Sequence, residues 1–271
     1  MVNLGRDYRE AIKEQALVNG QHLIRTRFID ERLQSALSRG AAQIVILGAG
    51  YDSRAYRMRH LLKNVRVFEV DYGPTQEYKK QRVQEIFGCL PANVSYVSID
   101  FTREKLRDVL VKAGYRPDRM TFFIWEGVTY YIPEEAIRGT LSFVATESAS
   151  GSAIVLDAKQ ASFIDWVRAN LPSPEKVPEV LRSTLAIQKK IADWGEPWIF
   201  GFPDGKESEF FKSVGLEIGE LIAMDGAEAR RRYLTRRDGS VVFDVTPPGG
   251  SLGPTTPSPI GWVAELVVPK R

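Results

Sequence analysis

Cysteine and histidine are nearly absent from this sequence of 271 residues. One cysteine, Cys89, and two histidines, His22 and His60, are present. A single thiol excludes an intrachain disulfide and a zinc cluster made of cysteines, and it is typical of a reducing compartment. We therefore expect a cytoplasmic protein, and we predict no metal site.

Long apolar runs and a strong charge of one sign are also absent. No apolar stretch approaches the roughly 20 residues that a membrane span requires. Residues 1–15 are polar and charged, whereas a signal peptide would need an apolar run. The 37 basic and 34 acidic residues are mixed along the chain and leave a formal charge of +3. We expect a soluble protein that has neither a nucleic-acid nor a membrane partner.

The composition fits one large domain. With 44% hydrophobic residues, the chain can bury a full core. Residues 6–39 contain no proline and carry apolar residues at near-helical intervals up to Gly40, which predicts a long helix. We interpret residues 1–271 as a single domain with a helical N-terminal cap (1–40), a ligand-binding core (41–158), a helical lid insertion (159–200) and a C-terminal part (201–271).

Short β-branched runs alternate with helix-sized gaps in the core. This spacing predicts a parallel α/β sheet with helices on both faces. The five runs are residues 44–47, 65–70, 94–99, 121–125 and 153–157. A glycine or an acidic residue ends each run. Because open α/β sheets bind ligands at the carboxyl ends of their strands, we expect the site at this edge.

The alternation of short β-branched runs and helix-sized gaps does not continue into the last part of the sequence. We expect the lid insertion to pack over the strand ends, then a helix at about 204–214 and a strand from Leu216. The apolar runs 241–245 and 261–268 are compatible with an antiparallel hairpin, although the segment between them is long for such a turn.

The loop "GAGYDSR" after the first run is rich in glycine, and glycine lets a backbone approach a ligand closely. The dinucleotide fingerprint needs a third glycine or alanine where this sequence has Ser53. A P-loop is excluded because no Gly-Lys-Ser or Gly-Lys-Thr follows. The loop therefore argues against two common nucleotide sites.

Acidic residues after the later runs suit a nucleoside. Asp71 follows the glycine loop by about 20 residues, where a carboxylate binds the two ribose hydroxyls of NAD or of S-adenosylmethionine. Asp100 offers a carboxylate to an adenine amino group, and Phe101 offers a face to the ring. Glu126 faces the same crevice. Four loops converging on one nucleoside favour the methyl donor over NAD.

Five ordered motifs carry a family resemblance. The segments "IRTRFIDERLQSAL", "QIVILGAGYDSRAYRM", "VFEVDYG", "SIDFTRE" and "FIWEGVTYYIPEEAI" together resemble the leucine carboxyl methyltransferase family, including its bacterial branch of S-adenosylmethionine-dependent methyltransferases. The order and spacing match over roughly residues 19–150. The resemblance implies a class I methyltransferase with a Rossmann-like sheet of seven strands, the last of them antiparallel.

The same resemblance implies roles for individual residues. Arg25 corresponds to the arginine that reaches the methionine carboxylate, and Tyr131 to a tyrosine near the acceptor; these two are the predicted catalytic residues. Donor binding is predicted for Arg25, Gly48, Gly50, Asp52, Asp71, Asp100, Phe101 and Glu126. The predicted cofactor is S-adenosyl-L-methionine, and the predicted partner is a small-molecule acceptor.

The acceptor is less constrained by these motifs. A carboxylate acceptor needs no general base, whereas an alcohol does. Because neither histidine follows a strand, the sequence leans toward O-methylation of a carboxylate, with Glu126, Asp157 or a tyrosine as alternative bases. N- or C-methylation of a secondary metabolite, an NAD(P)-dependent oxidoreductase and a non-catalytic donor-binding subunit are the other hypotheses. Trp194 and Trp198 are either lid core or acceptor pocket.

Overall fold

A computed structural model describes residues 16–99, 104–177, 179–242, 257 and 259–270. Asp100 and Phe101 lie outside the described residues, so the adenine contacts predicted for them stay predictions. In the ranges that are described, no helix is long and apolar enough to cross a membrane, and no three acidic, histidine or cysteine side chains form a cluster that could hold a metal ion.

Seven strands form one sheet, in the order β3-β2-β1-β4-β5-β7-β6. They are β1 (Gln43–Leu47), β2 (Arg66–Asp71), β3 (Val94–Ser98), β4 (Thr121–Trp125), β5 (Ala153–Lys159), β6 (Glu217–Ala223) and β7 (Gly261–Val267). The first five are parallel, and β7 is antiparallel to both of its neighbours. The predicted class I methyltransferase sheet is therefore confirmed.

The central strands are buried on both faces because helices cover the sheet on each side. The helices are α1 (Ala16–Ser38), α2 (Arg54–Arg57), α3 (Gly73–Phe87), α4 (Leu106–Lys112), α5 (Glu134–Thr146), α6 (Ala161–Asn170), α7 (Glu179–Asp193), α8 (Glu207–Ser213) and α9 (Ala227–Ala229). Consecutive parallel strands leave from the same edge, so the loops after β1, β2, β4 and β5 meet there.

The expected hairpin between residues 241–245 and 261–268 is wrong. Strand β7 lies between β5 and β6 and bonds to both, so neither of its edges is free for a further strand. Val242 instead donates its backbone N–H to the carbonyl of Leu234 at 2.7 Å. The hairpin partner of β7 is β6, whose start near Leu216 the sequence did predict.

The segment predicted as a lid insertion, residues 159–200, contains the helices α6 and α7. We use the name lid for these two helices and the name strap for residues 198–202. Leu181 and Leu185 of α7 join the same apolar core as Ile24 and Phe28 of α1. The strap is fixed at its end because Phe202 N donates to Lys159 O at 2.9 Å and Ala161 N donates to Phe202 O at 2.8 Å. The lid therefore lies over the carboxyl end of β5.

Candidate functional site

The glycine loop and Asp71 form one side of the site. Gly48 and Gly50 have φ values of 64° and 37°, which residues with a side chain rarely adopt. The backbone N–H of Gly50 donates to Asp71 Oδ2, and that of Tyr72 donates to Asp71 Oδ1 at 2.6 Å. Two backbone donors thus orient the carboxylate that the sequence assigned to a ribose.

Gly48 faces a second feature, a mainly apolar cavity of about 430 Å³ whose walls include Trp125, Val128 and Phe143. A Cβ atom on Gly48 would lie 2.7 Å from Cγ2 of Val128. A side chain at this position would force the loops after β1 and β4 apart, so the glycine keeps the cavity in shape.

Arg25 of α1 reaches across the strand ends to two carboxylates. Its Nε donates to Glu126 Oε1 at 2.7 Å, and its Nη1 donates to Asp157 Oδ2 at 2.9 Å. Gly127 N donates to the other oxygen of Asp157 at 2.6 Å. Burial opposes the charge of Arg25, but Asp157, Tyr130 and Glu126 together raise its pKa above its ordinary value. The guanidinium therefore stays charged.

Arg54, which the sequence reasoning did not single out, completes this ion-pair network. Its Nη1 donates at 2.5 Å to both Glu126 Oε2 and Asp52 Oδ2, and its Nε donates to Asp30 at 2.8 Å. Asp52 was grouped with the donor-binding residues, yet its carboxylate is directed at Arg54. The available signal was the arginine in "GAGYDSR", which stands on the first turn after the glycine loop.

The helix after the glycine loop is too short for a dinucleotide site. Helix α2 has four residues, and Ser53 precedes it at its N-cap position. A dinucleotide site uses the N-terminus of a full helix packed closely on the sheet to hold the pyrophosphate. The structure therefore gives a physical reason to set the oxidoreductase hypothesis aside.

A cavity of about 390 Å³ adjoins Arg25 and lies between α1, β5 and the lid. Its walls include Arg25, Tyr130, Tyr131, Asp157, Lys159 and Trp198. We call it the acceptor cavity. Tyr131 lines this cavity, and its predicted contact with an acceptor stays a prediction. Of the two tryptophans left open by the sequence, Trp198 lines the cavity, whereas Trp194 is 70% exposed.

His22 also lines the acceptor cavity, but it is a poor proton acceptor. Desolvation, together with the charges of Arg25 and Lys159, lowers the pKa of His22 to about 4. A general base works best when its pKa is near the working pH. His22 is therefore a neutral wall residue at neutral pH.

A buried ion pair supports the glycine loop from below. Lys79 of α3 donates to Glu69 Oε2 at 2.8 Å and to the carbonyl of Ala49 at 3.3 Å. Tyr56 donates to the same Glu69 oxygen at 3.1 Å, and the Glu69 side chain is fully buried. The position of the loop backbone is thus tied to the charge of Glu69.

Replacing Glu69 with glutamine is expected to remove a pH dependence of stability. Burial raises the pKa of Glu69 from 4.5 to about 7, against the opposing attraction of Lys79. A carboxyl group whose folded pKa is raised stabilises the protein below its unfolded pKa and loses that contribution as the pH rises through the folded pKa. Urea unfolding should show the wild-type advantage over Glu69→Gln shrinking by about 2 kcal/mol between about pH 5 and pH 8. The exposed Glu85→Gln is the control, and a pH-independent difference for Glu69→Gln would contradict the expectation.

The sequence matches the model of a known protein family. The sequence model of leucine carboxyl methyltransferases matches residues 3–145. The chain belongs to the leucine carboxyl methyltransferase family. The resemblance inferred from the five motifs is therefore confirmed, and with it the assignment to a family of methyltransferases.

Bacterial proteins are among the relatives that this sequence matches. A Bacillus subtilis protein, provisionally named as an S-adenosyl-L-methionine-dependent methyltransferase, is 35% identical over 204 residues, which cover 75% of this chain and 63% of the relative. A Mycolicibacterium paratuberculosis protein with the same provisional name is 30% identical over 213 residues, covering 76% and 66% of the two chains. The matches thus span less than two thirds of these relatives' length.

Two solved structures share the fold. A DUF574 family protein from Streptomyces avermitilis has a TM-score of 0.56 at 17% identity, with 97% of this chain and 90% of that chain covered. A provisionally named methyltransferase from Thermobifida fusca also has a TM-score of 0.56, at 12% identity, covering 97% of this chain and 86% of that one. At these identities the likeness supports the architecture alone.

Proposed function

We propose that this protein is an S-adenosylmethionine-dependent methyltransferase that methylates an oxygen of a small molecule held in the acceptor cavity. The observation that carries the proposal is the strand edge where Asp71, Arg25, Glu126 and Asp157 converge, in a chain whose family transfers methyl groups. The donor assignment also draws on the names of the bacterial relatives.

The residues at this edge fit the chemical groups of the donor. The ribose hydroxyls suit Asp71, whose carboxylate is oriented by the backbone N–H groups of Gly50 and Tyr72. The apolar cavity beside Gly48 suits the adenine ring. Arg25 suits the carboxylate of the methionine part, and Glu126 suits its ammonium group.

The protein's own residues have to align the reactants and exclude water. When bound, S-adenosylmethionine supplies a methyl group on a positively charged sulfur. The role left to the protein would be to fix the positions of donor and acceptor relative to each other. Arg25 spans both ligands because it contacts the donor-side Glu126 and the cavity-side Asp157. Tyr131 and Trp198 form part of the wall of the acceptor cavity.

Oxygen is the favoured acceptor atom because of the groups in the cavity wall. Lys159 and Gln21 line the cavity and carry N–H donors, and such donors pair with an oxygen that has free lone pairs. A carboxylate needs no base, which agrees with a neutral His22 of low pKa. A carboxylate is therefore one proposed acceptor group.

Replacing Asp71 with asparagine tests the proposed donor site. Hydrogen bonds to a charged group contribute about 1.5–3 kcal/mol, so S-adenosylhomocysteine should bind roughly 10- to 100-fold more weakly. Isothermal titration calorimetry measures this affinity, with the exposed Asp118→Asn as the control, and NADH is titrated in parallel. If the wild-type protein binds NADH instead of S-adenosylhomocysteine, or if Asp71→Asn keeps full affinity, the proposed donor site is wrong.

A further inference from the structure

Lys159 is a buried cation in the acceptor cavity that the donor site does not use. It follows Asp157 by two residues on β5, so both side chains leave the same face of the strand. Lys159 is only 8% exposed, and no carboxylate of the described residues lies within ion-pair distance of its Nζ. Such an unpaired ammonium is costly to bury.

Gln21 of α1 is the polar partner of Lys159. Lys159 Nζ donates to Gln21 Oε1 at 3.2 Å. Because an ammonium has no acceptor, this contact fixes the amide orientation and turns Gln21 Nε2 away from the lysine. Gln21 is 7% exposed, and its Nε2 has no hydrogen-bond partner among the described residues. The lysine and the amide together leave buried donors without acceptors.

The neighbouring charges do not satisfy these donors. Asp157 lies on the same strand, but Arg25 and the N–H of Gly127 occupy its two oxygens. Burial lowers the pKa of Lys159 to about 8, with Arg25 adding to the effect and the charges of Asp157 and Asp225 opposing it. At neutral pH the amine is still mostly charged. An incoming anion would therefore give Lys159 the ion-pair partner that the protein itself does not supply.

Aromatic rings frame the same two polar groups. Lys159 Nζ lies 5.3 Å from the ring centroid of Trp198 and 5.9 Å from that of Phe163. Tyr130 packs edge-on to Trp198 with a centroid distance of 5.3 Å. A cavity of about 390 Å³ with such walls accommodates a small planar ring.

We propose that Lys159 and Gln21 form a subsite of the acceptor cavity that binds an anionic oxygen, carboxylate or phenolate, on an aromatic acceptor. This subsite deepens the proposed function and rests on it. Lys159 supplies the charge, and Gln21 both positions the lysine through Oε1 and donates from Nε2. The aromatic rings hold the planar part of the acceptor.

Paired anionic and neutral probes test the subsite. Naphthoate is compared with naphthamide, and para-nitrophenolate with nitrobenzene, by calorimetric titration into the full chain saturated with S-adenosylhomocysteine. We expect wild type to bind at least one anion more than about tenfold tighter than its neutral counterpart, as a charge-assisted contact of this kind requires. The pair that shows the preference identifies the oxygen class as carboxylate or phenolate.

Variants then assign the preference to these residues. Lys159→Met is expected to abolish it, Gln21→Leu to reduce it, and Lys190→Met, an exposed lysine on the lid helix α7, to leave it unchanged. Equal binding of anion and neutral probe by wild type, no binding of either anion, or an unchanged preference in Lys159→Met overturns the proposal. Titration of each variant with S-adenosylhomocysteine separates the two proposals, because failure of wild type to bind it counts against the proposed function, and its retention in Lys159→Met shows that only the subsite was removed.

Discussion

Replacement of Arg25 by methionine is expected to abolish methyl transfer and to weaken donor binding by at least about 100-fold. The guanidinium holds Glu126 and Asp157 together at 2.7 and 2.9 Å. Its removal would leave two partly or fully buried carboxylates without their shared cation. Breaking a buried ion pair by removing one partner costs about 3 kcal/mol or more, so we also expect lower stability.

The geometry of Arg25 makes lysine an informative second variant. Arg25 uses two different nitrogens for its two carboxylates, and a lysine offers one point of charge without that planar fork. Arg25→Lys should therefore keep most of the stability and still bind donor poorly. Urea unfolding and titration with S-adenosylhomocysteine measure the two effects separately.

A surface arginine provides the matched control. Arg82 forms an exposed pair with Glu85 three residues away on α3, and such pairs contribute little to stability. Arg82→Met should leave both stability and donor affinity near wild type. If Arg25→Met folds and binds S-adenosylhomocysteine as tightly as wild type, Arg25 is not part of the donor site.

The sheet was predictable because its signal is local. Parallel strands such as "IVIL" and "TFFIW" are short β-branched or aromatic runs that are buried on both faces. The pattern can therefore be recognised without knowing which strands are neighbours in the sheet. The position of β7 was not predictable in this way. Its two neighbours come from residues 153–159 and 217–223, and only the folded sheet brings these segments together.

The features of the site also divide into those that the sequence predicts and those that depend on the fold. The motif positions of Arg25, Asp71 and Glu126 were available from the sequence, and the structure brings Arg25 and Glu126 into direct contact. The contacts of Arg54 and Lys159 were not available from the sequence, because they involve residues far away in the chain, such as Glu126 and Gln21. Sequence patterns identify residues that have a role, whereas the fold determines which of them contact one another as ion pairs or hydrogen-bond partners.

Helix α1 connects the two halves of the site. Gln21 and Arg25 are four residues apart and therefore lie on the same face of the helix. Gln21 contacts Lys159 in the proposed acceptor cavity, and Arg25 contacts Glu126 on the proposed donor side. A shift of this one helix would change both subsites at once, so the packing of the lid against α1 matters for the alignment of the reactants.

Replacing Gly201 with alanine is expected to release the strap from the lid. A Cβ atom at this position would lie 2.6 Å from Cα and 2.7 Å from N of Ala161, and 2.8 Å from the carbonyl carbon of Gln160. These are backbone atoms, which cannot move aside as a flexible side chain could. The strap would have to shift and lose the hydrogen bonds of Phe202, which we expect to cost about 3 kcal/mol of stability.

The consequence for binding follows from the position of Trp198 in the same strap. Displacing the strap moves this wall of the acceptor cavity, while Asp71 and the glycine loop lie outside it. Gly201→Ala should therefore bind the aromatic probes more weakly and S-adenosylhomocysteine as wild type does. The exposed Glu85→Gln is the control and should leave stability and both affinities near wild type. A stable Gly201→Ala with unchanged probe affinity would show that the strap does not hold the cavity closed.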